Sequence, residues 1–472
     1  MNRRKDPPGY KEGRACPVKR KMQRETLGSR LGFILISAGC AIGIGNVWRF
    51  PYLCGQYGGG AFVVIYLFFL VILGLPAMCM EFSVGRAARK SPVRMYQELE
   101  PKGSLWHLHG LACLAGNYLL MMFYTTVAGW MLRFFVLECA GTFKGLDSDG
   151  VANVFSAELA RPGIQVGFMA VIVVLGFFVN MRGLQSGLER ITKIMMMLLI
   201  VIMVILAVNS MFLPGAREGI AYLLVPDVDR LREGGVWNVV VAAMNQAFFT
   251  LSIGIGSMAI FGSYVGREQS LLGESVDVVI LDTFVAISSG LIIIPACFAY
   301  NVDSTQGPGL IFVTLPMVFN NMPLGRLWGS LFFVFMTFAA FSTVLAVFEN
   351  IMAMCMDLFG WDRTRAGLFN IAALFLLSLP CALGFNILSG IQPLGEGSTF
   401  LDLEDYIVSN FLLPLGALVF VLFCTRKNGW GWENFKAEAN AGKGLKVQDW
   451  MRVYITWILP LLILFVFIMG LL

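Results

Sequence analysis

Charge is what this chain has least of. Only 14% of its 472 residues are Asp, Glu, Lys or Arg, while 57% are hydrophobic. A soluble domain of this length would expose far more charge, so lipid is the solvent for most of the chain. Histidine is nearly missing, with 2 in all; His107 and His109 stand at the start of one apolar run and read as solvated surface. No Ser-His-Asp set and no His/Cys metal spacing can be assembled. Gly254-Ile255-Gly256 lies in an apolar segment with no Lys behind it, so it is no phosphate cradle. Enzyme chemistry and an organic cofactor are therefore without support. The ten cysteines are scattered without a CxxC pair, which suits small buried hydrophobes better than a disulfide frame.

Long apolar runs are what the chain does have. Segments of roughly 20 apolar residues span a bilayer, and eleven are predicted, at 31–51, 61–83, 107–138, 164–180, 190–213, 237–264, 277–300, 326–358, 367–384, 401–424 and 452–472. With the first residues inside, the inner segments hold 27 basic residues and the outer ones 6. The positive-inside rule then gives a multi-pass protein with a cytoplasmic N-terminus and an outer C-terminus. The net charge of +5 serves that topology and implies no nucleic-acid partner. Residues 1–24, basic and interrupted by Pro7, Pro8 and Pro17, read as a disordered cytoplasmic tail rather than a cleaved signal.

Two of the runs are wrong for continuous helices. Gly39 to Pro51 carries several glycines together with Asn46 and Arg49, which should not face lipid. Gln246 to Gly256 is the second. In hydrocarbon every backbone N–H and C=O needs a partner, so an interruption survives only where it lines a polar cavity. Two interruptions at corresponding places in two halves point to the midplane site of a secondary transporter. Helices one to five and six to ten form equal blocks, and an odd number per block inserts the second upside down. The expected fold is all-α and polytopic, a 5+5 inverted repeat with helices one and six broken and an eleventh appended. Its divisions are 25–213, 214–430 and 431–472.

These residues carry a resemblance. Arg30-Leu-Gly-Phe33, Gly39 to Pro51, Gly58 to Phe62, Gly74 to Glu81 with Gly85-Arg86, and Gln246 to Gly256 are similar to the signatures of the neurotransmitter:sodium symporter family, in its bacterial, eleven-helix, LeuT-like amino-acid branch. The motifs occur on the expected helices in the expected order.

The resemblance implies two sodium sites. One uses the Ala41 carbonyl, Asn46, Thr250 and Asp282 with the substrate carboxylate; the other uses the carbonyls of Gly39, Ile42 and Ala339 with the hydroxyls of Ser342 and Thr343. Sodium is a hard cation that takes oxygen ligands, which an unwound helix supplies. Alone, Ser342 and Thr343 would read as helix-packing hydroxyls. Many relatives have Asn at the Asp282 position, and a chloride-dependent subset adds a Ser one turn on, where this chain has Ala286; chloride independence is the expectation. The implied substrate site is Cys40, Ala41, Ile44, Gly45, Leu120, Tyr124, Phe249, Thr250, Ser252, Ile255, Gly256, Thr343, Ala346 and Val347. Tyr124 and the free amides near Ile44 serve a carboxylate, while the apolar remainder rejects charged side chains because a buried unpaired charge is costly. Arg49 and Asp405 would close the outer side, and Arg24, Ser263, Tyr264 and Asp357 the inner.

The function so implied is sodium-coupled symport of a neutral apolar or aromatic L-amino acid by alternating access, in the inner membrane of a bacterium. The alternative is a non-transporting amino-acid sensor on the same scaffold. Oligomeric state is open, a homodimer being one option. Three positions depart from the family pattern: Cys40 stands where relatives have Asn or Ser, Leu27 where a Trp often plugs the inner gate, and Met197 where a proline commonly helps helix five unwind.

Overall fold

The computed structural model describes residues 25–300 and 309–471; the basic tail and Arg24 lie outside the described residues. Thirteen helical segments build the membrane part. The first run is α1 (Arg30–Ala41) and α2 (Gly45–Gln56), bent by 56° at their junction. There follow α3 (Gly60–Ala88), α4 (Leu108–Ala140), α5 (Pro162–Met181) and α6 (Leu184–Met211). The second broken run is α7 (Val236–Thr250) and α8 (Ser257–Gly262). Then come α9 (Leu271–Ala299), α10 (Gly325–Phe359), α11 (Arg363–Leu383), α12 (Phe400–Thr425) and α13 (Met451–Met469).

Among the described residues nine helices are long and apolar enough to cross a membrane, ten with the bent α1–α2 pair taken as one span. The remaining expected run, 237–264, is present as the shorter α7 and α8, so both interruptions are in place. The largest shifts fall where α6 begins at Leu184 and α9 at Leu271, about two turns ahead of the apolar runs. Polar first turns explain this, since their side chains find partners: Glu189 accepts from Gly28 N at 2.8 Å and binds Lys193 at 2.6 Å, and Glu274 binds Arg30 at 2.7 Å. Hydropathy cannot see such turns. Short helices in the loops, among them Pro92–Leu99, Ser148–Leu159 and Trp432–Ala439, were likewise invisible to it.

Equivalent helices of the two blocks meet one another: α3 packs on α9, α4 on α10 and α5 on α11. That is the contact pattern a pseudo-two-fold axis in the membrane plane produces. The long α4 and α10 are mostly buried and form the middle of the bundle, whereas α13 is peripheral. His109 is not at a solvated surface; its Nδ1 lies 2.7 Å from the Tyr96 hydroxyl, in a nest with Phe420.

Candidate functional site

The two helix breaks face each other, and each has a local cause. At the first, Ile42 leaves helical geometry with ψ at 92°, which frees the carbonyls of the last turn of α1. At the second, Ser252, Gly254 and Gly256 all have positive φ, so the chain between α7 and α8 cannot continue as a right-handed helix. Glu81 of α3 secures this stretch by accepting from Gly254 N at 2.5 Å and Met258 N at 3.2 Å. Gln246 ties the breaks together by donating to the Gly45 carbonyl at 2.9 Å.

Beside the first break lies a cluster of oxygens that carries charge. Asn46 Nδ2 donates to Asp282 Oδ1 at 2.8 Å, and Thr250 Oγ1 lies 3.0 Å from Asn46 Oδ1 and 3.2 Å from Asp282 Oδ2. All three side chains are buried. Tyr66 of α3 is also buried, and its hydroxyl has no hydrogen-bond partner among the described residues. No Lys or Arg forms an ion pair with Asp282 among the described residues. A buried carboxylate without a cation is expensive, so the arrangement is suited to a small hard cation held by carboxylate, amide, hydroxyl and carbonyl oxygens. Ala41 is the last residue of α1, immediately before the break.

The second cluster is neutral. Thr343 Oγ1 stands 3.3 Å from Gly39 O and 3.4 Å from Ile42 O, while Ser342 Oγ stands 3.3 Å from Ile42 O and 2.9 Å from Ala339 O. Three carbonyls and two hydroxyls thus converge between α1 and α10, again as hard donors.

Between the clusters is a chamber walled by Cys40, Ala41, Gly43, Gly45, Leu120, Tyr124, Phe249, Ser252, Thr343 and Leu413. Its free volume is about 20 Å³, room for one water. Tyr124 Oη accepts from Ile44 N at 3.0 Å, an approach possible because Gly43 has no Cβ to strike the hydroxyl. Of the residues expected here, Ile44 contributes its amide rather than its side chain. Thr250 turns into the charged cluster. Ile255 packs against Gly116, and a Cβ on Gly256 would meet Pro92 and Cys113, so both face away from the chamber. Ala346 and Val347 are buried but outside its walls. Gly43 and Leu413 are wall residues that sequence reasoning missed; Leu413 comes from α12, a helix with no motif to mark it.

On one side the chamber is roofed by Phe249, with the Arg49 guanidinium 4.4 Å from its ring centre. Arg49 forms no ion pair with Asp405 among the described residues; Asp405 accepts from Ser409 at 2.8 Å instead. On the opposite side the expected gate residues divide. Asp357 accepts from Ser91 N at 2.8 Å, and the Ser263 carbonyl accepts from Arg89 at 3.4 Å. Tyr264 donates to Glu349 at 2.7 Å, and Arg363 reaches the same carboxylate at 2.6 Å and Glu25 at 3.1 Å. The Tyr264 carbonyl also accepts from Leu27 N at 3.2 Å, tying the segment ahead of α1 to α8. Arg363 was missed, although an intramembrane Glu349 demands a cation and Arg363 lies just past the turn at Gly360.

Comparison with known proteins agrees with this architecture. The profile described as the sodium:neurotransmitter symporter family matches residues 24–143 and 151–472. The uncharacterised sodium-dependent transporter YhdH of Bacillus subtilis (strain 168) is 33% identical over 444 residues, which are 93% of this chain and 96% of the relative. A sodium-dependent transporter of Methanocaldococcus jannaschii, MJ1319, is 30% identical over 94% of this chain and 89% of its own. The crystal structure of MhsT in complex with L-phenylalanine superposes with a TM-score of 0.85 at 36% identity, covering 95% of this chain and 100% of MhsT.

Proposed function

The chain belongs to the sodium:neurotransmitter symporter family, whose members are secondary transporters and not enzymes, and from that premise we propose that it imports a neutral, apolar or aromatic L-amino acid with sodium and without chloride. The observation that carries the reading is the buried Asp282 among the oxygens of Asn46 and Thr250. A fixed carboxylate there supplies the negative charge that a mobile anion would otherwise bring, and Ala286 offers no hydroxyl to hold one. The neutral cluster at Thr343 takes a second sodium. Two such oxygen shells have no use in a pure sensor.

The substrate class follows from the chamber walls. The Tyr124 hydroxyl accepts from the Ile44 amide at the break and keeps its own O–H proton to donate to a carboxylate. Leu120, Phe249 and Leu413 offer nothing to a charged side chain. The phenylalanine in MhsT supports an aromatic or large aliphatic cargo. The chamber as folded holds about one water, so Phe249 and Leu413 move apart to admit it. We place the chain in a bacterial plasma membrane with its N-terminus inside and C-terminus outside, from the asymmetry of 27 basic residues against 6, and divide the repeats near residue 213.

Uptake of labelled phenylalanine, leucine and tryptophan into proteoliposomes tests all of this. Transport is expected with sodium outside, not with potassium, and is expected to continue when gluconate replaces chloride; glutamate and lysine should not compete. Collapse in gluconate removes the role given to Asp282.

A further inference from the structure

A second pocket, of about 750 Å³, lies between the end of α4 and the start of α10, within the size range of small-molecule sites, about 300–1,000 Å³. It shares no residue with the chamber. Glu138 lines it, 4% exposed, with Oε1 meeting no hydrogen-bond partner. A buried carboxylate oxygen in this state is costly, and Gly329 opposite leaves it room, since a Cβ there would stand 2.7 Å from Glu138 Oε2. Lys144 and Arg326 line the same pocket from exposed positions, yet neither pairs with Glu138; Arg326 donates to the Cys139 carbonyl instead. Phe143, Phe319 and Met322 supply buried apolar wall between the charges.

A bare cation at Glu138 would meet two positive side chains, and a bare anion would meet the carboxylate. A group carrying both signs a few bonds apart satisfies every one of them. We propose that this pocket binds a small zwitterion, with its ammonium on Glu138, its anionic end toward Arg326 and Lys144, and its apolar part on Phe143 and Phe319. That chemistry belongs both to a free amino acid and to the ethanolamine headgroup of a phospholipid. The site contains none of the oxygen clusters described above, so its occupancy should not require sodium.

The test uses the full chain in detergent with potassium and no sodium. Fluorine NMR follows 4-fluoro-L-phenylalanine, with 4-fluorophenethylamine and 3-(4-fluorophenyl)propionate as probes carrying one charge each. Saturable binding is expected, about tenfold tighter for the zwitterion than for either single-charge probe. It should weaken about tenfold in Glu138→Gln, in Arg326→Gln and in Gly329→Ala, whose methyl displaces the carboxylate. Sodium-dependent uptake retained by these variants shows that they fold. For the lipid source, native mass spectrometry from nanodiscs of equal phosphatidylethanolamine and phosphatidylglycerol should show one retained phosphatidylethanolamine, lost in Glu138→Gln. Either arm positive supports the site and identifies its occupant. Both arms negative, equal binding of the amine-only probe, or unchanged binding in Glu138→Gln overturns it.

Discussion

The two oxygen clusters flank one chamber and share the unwound end of α1, but only the Asn46–Thr250–Asp282 cluster contains a formal charge; the Gly39–Ile42–Ala339–Ser342–Thr343 cluster is built from neutral dipoles. A carboxylate attracts a cation over a longer range than a carbonyl does, and it remains a cost when the cation leaves. The neutral cluster has no such cost and can be emptied readily. On the proposed reading, the fold pairs a strongly committed sodium site with a releasable one, on either side of the same chamber.

The sharpest way to break the comparison is to neutralise the charged side. Asp282→Asn should weaken apparent sodium affinity by about 1.5–3 kcal/mol, roughly 10- to 150-fold, in a sodium titration of substrate binding. A titration that matches the native protein would remove the carboxylate from the cation's surroundings. Adding Ala286→Ser to this variant should make uptake respond to chloride.

Tyr124→Phe asks whether the substrate's own carboxylate enters the space between the clusters. Losing one charge-assisted hydrogen bond should lower amino-acid affinity by about 1.5–3 kcal/mol, while binding of a decarboxylated analogue stays unchanged. Glu81→Gln probes the scaffold both clusters depend on. The acceptor for the Gly254 and Met258 amides is weakened, and stability should fall by about 1–3 kcal/mol, seen as a lower melting temperature with and without sodium alike. Smallest of all, Thr343→Ala removes one neutral hydroxyl and should shift the sodium titration by about 0.5–1.5 kcal/mol. A shift as large as that of Asp282→Asn would erase the distinction between the clusters.

The crossings were legible in the sequence because hydropathy integrates over some twenty residues and needs no knowledge of neighbours. The residues of both clusters were legible through resemblance, and the structure brings Asn46, Thr250 and Asp282 together, and Ser342 and Thr343 with the carbonyls of Gly39, Ile42 and Ala339. Facing within the second break was not. Once Ser252, Gly254 and Gly256 turn to positive φ, helical spacing no longer says which way Ile255 points, and it points to Gly116. Leu413 was hidden because it reaches the chamber from a helix remote in sequence. The pairing of Glu349 with Arg363 needed the geometry of a turn, which composition does not carry.

Cys40 gives the chamber a chemical reporter of its own. Its side chain is fully buried in a wall of the chamber, and a thiol in that condition is unreactive because the thiolate needs solvation. Attack of Cys40 on a methanethiosulfonate, which forms a mixed disulfide and releases methanesulfinate, therefore proceeds only while the chamber is open to water. In a background where Cys16 and the partly exposed Cys139 are both changed to serine, the labelling rate with a small methanethiosulfonate becomes a clock for opening. Sodium and cargo that shut the chamber slow the clock, so access is read without a fluorophore and without altering a wall residue.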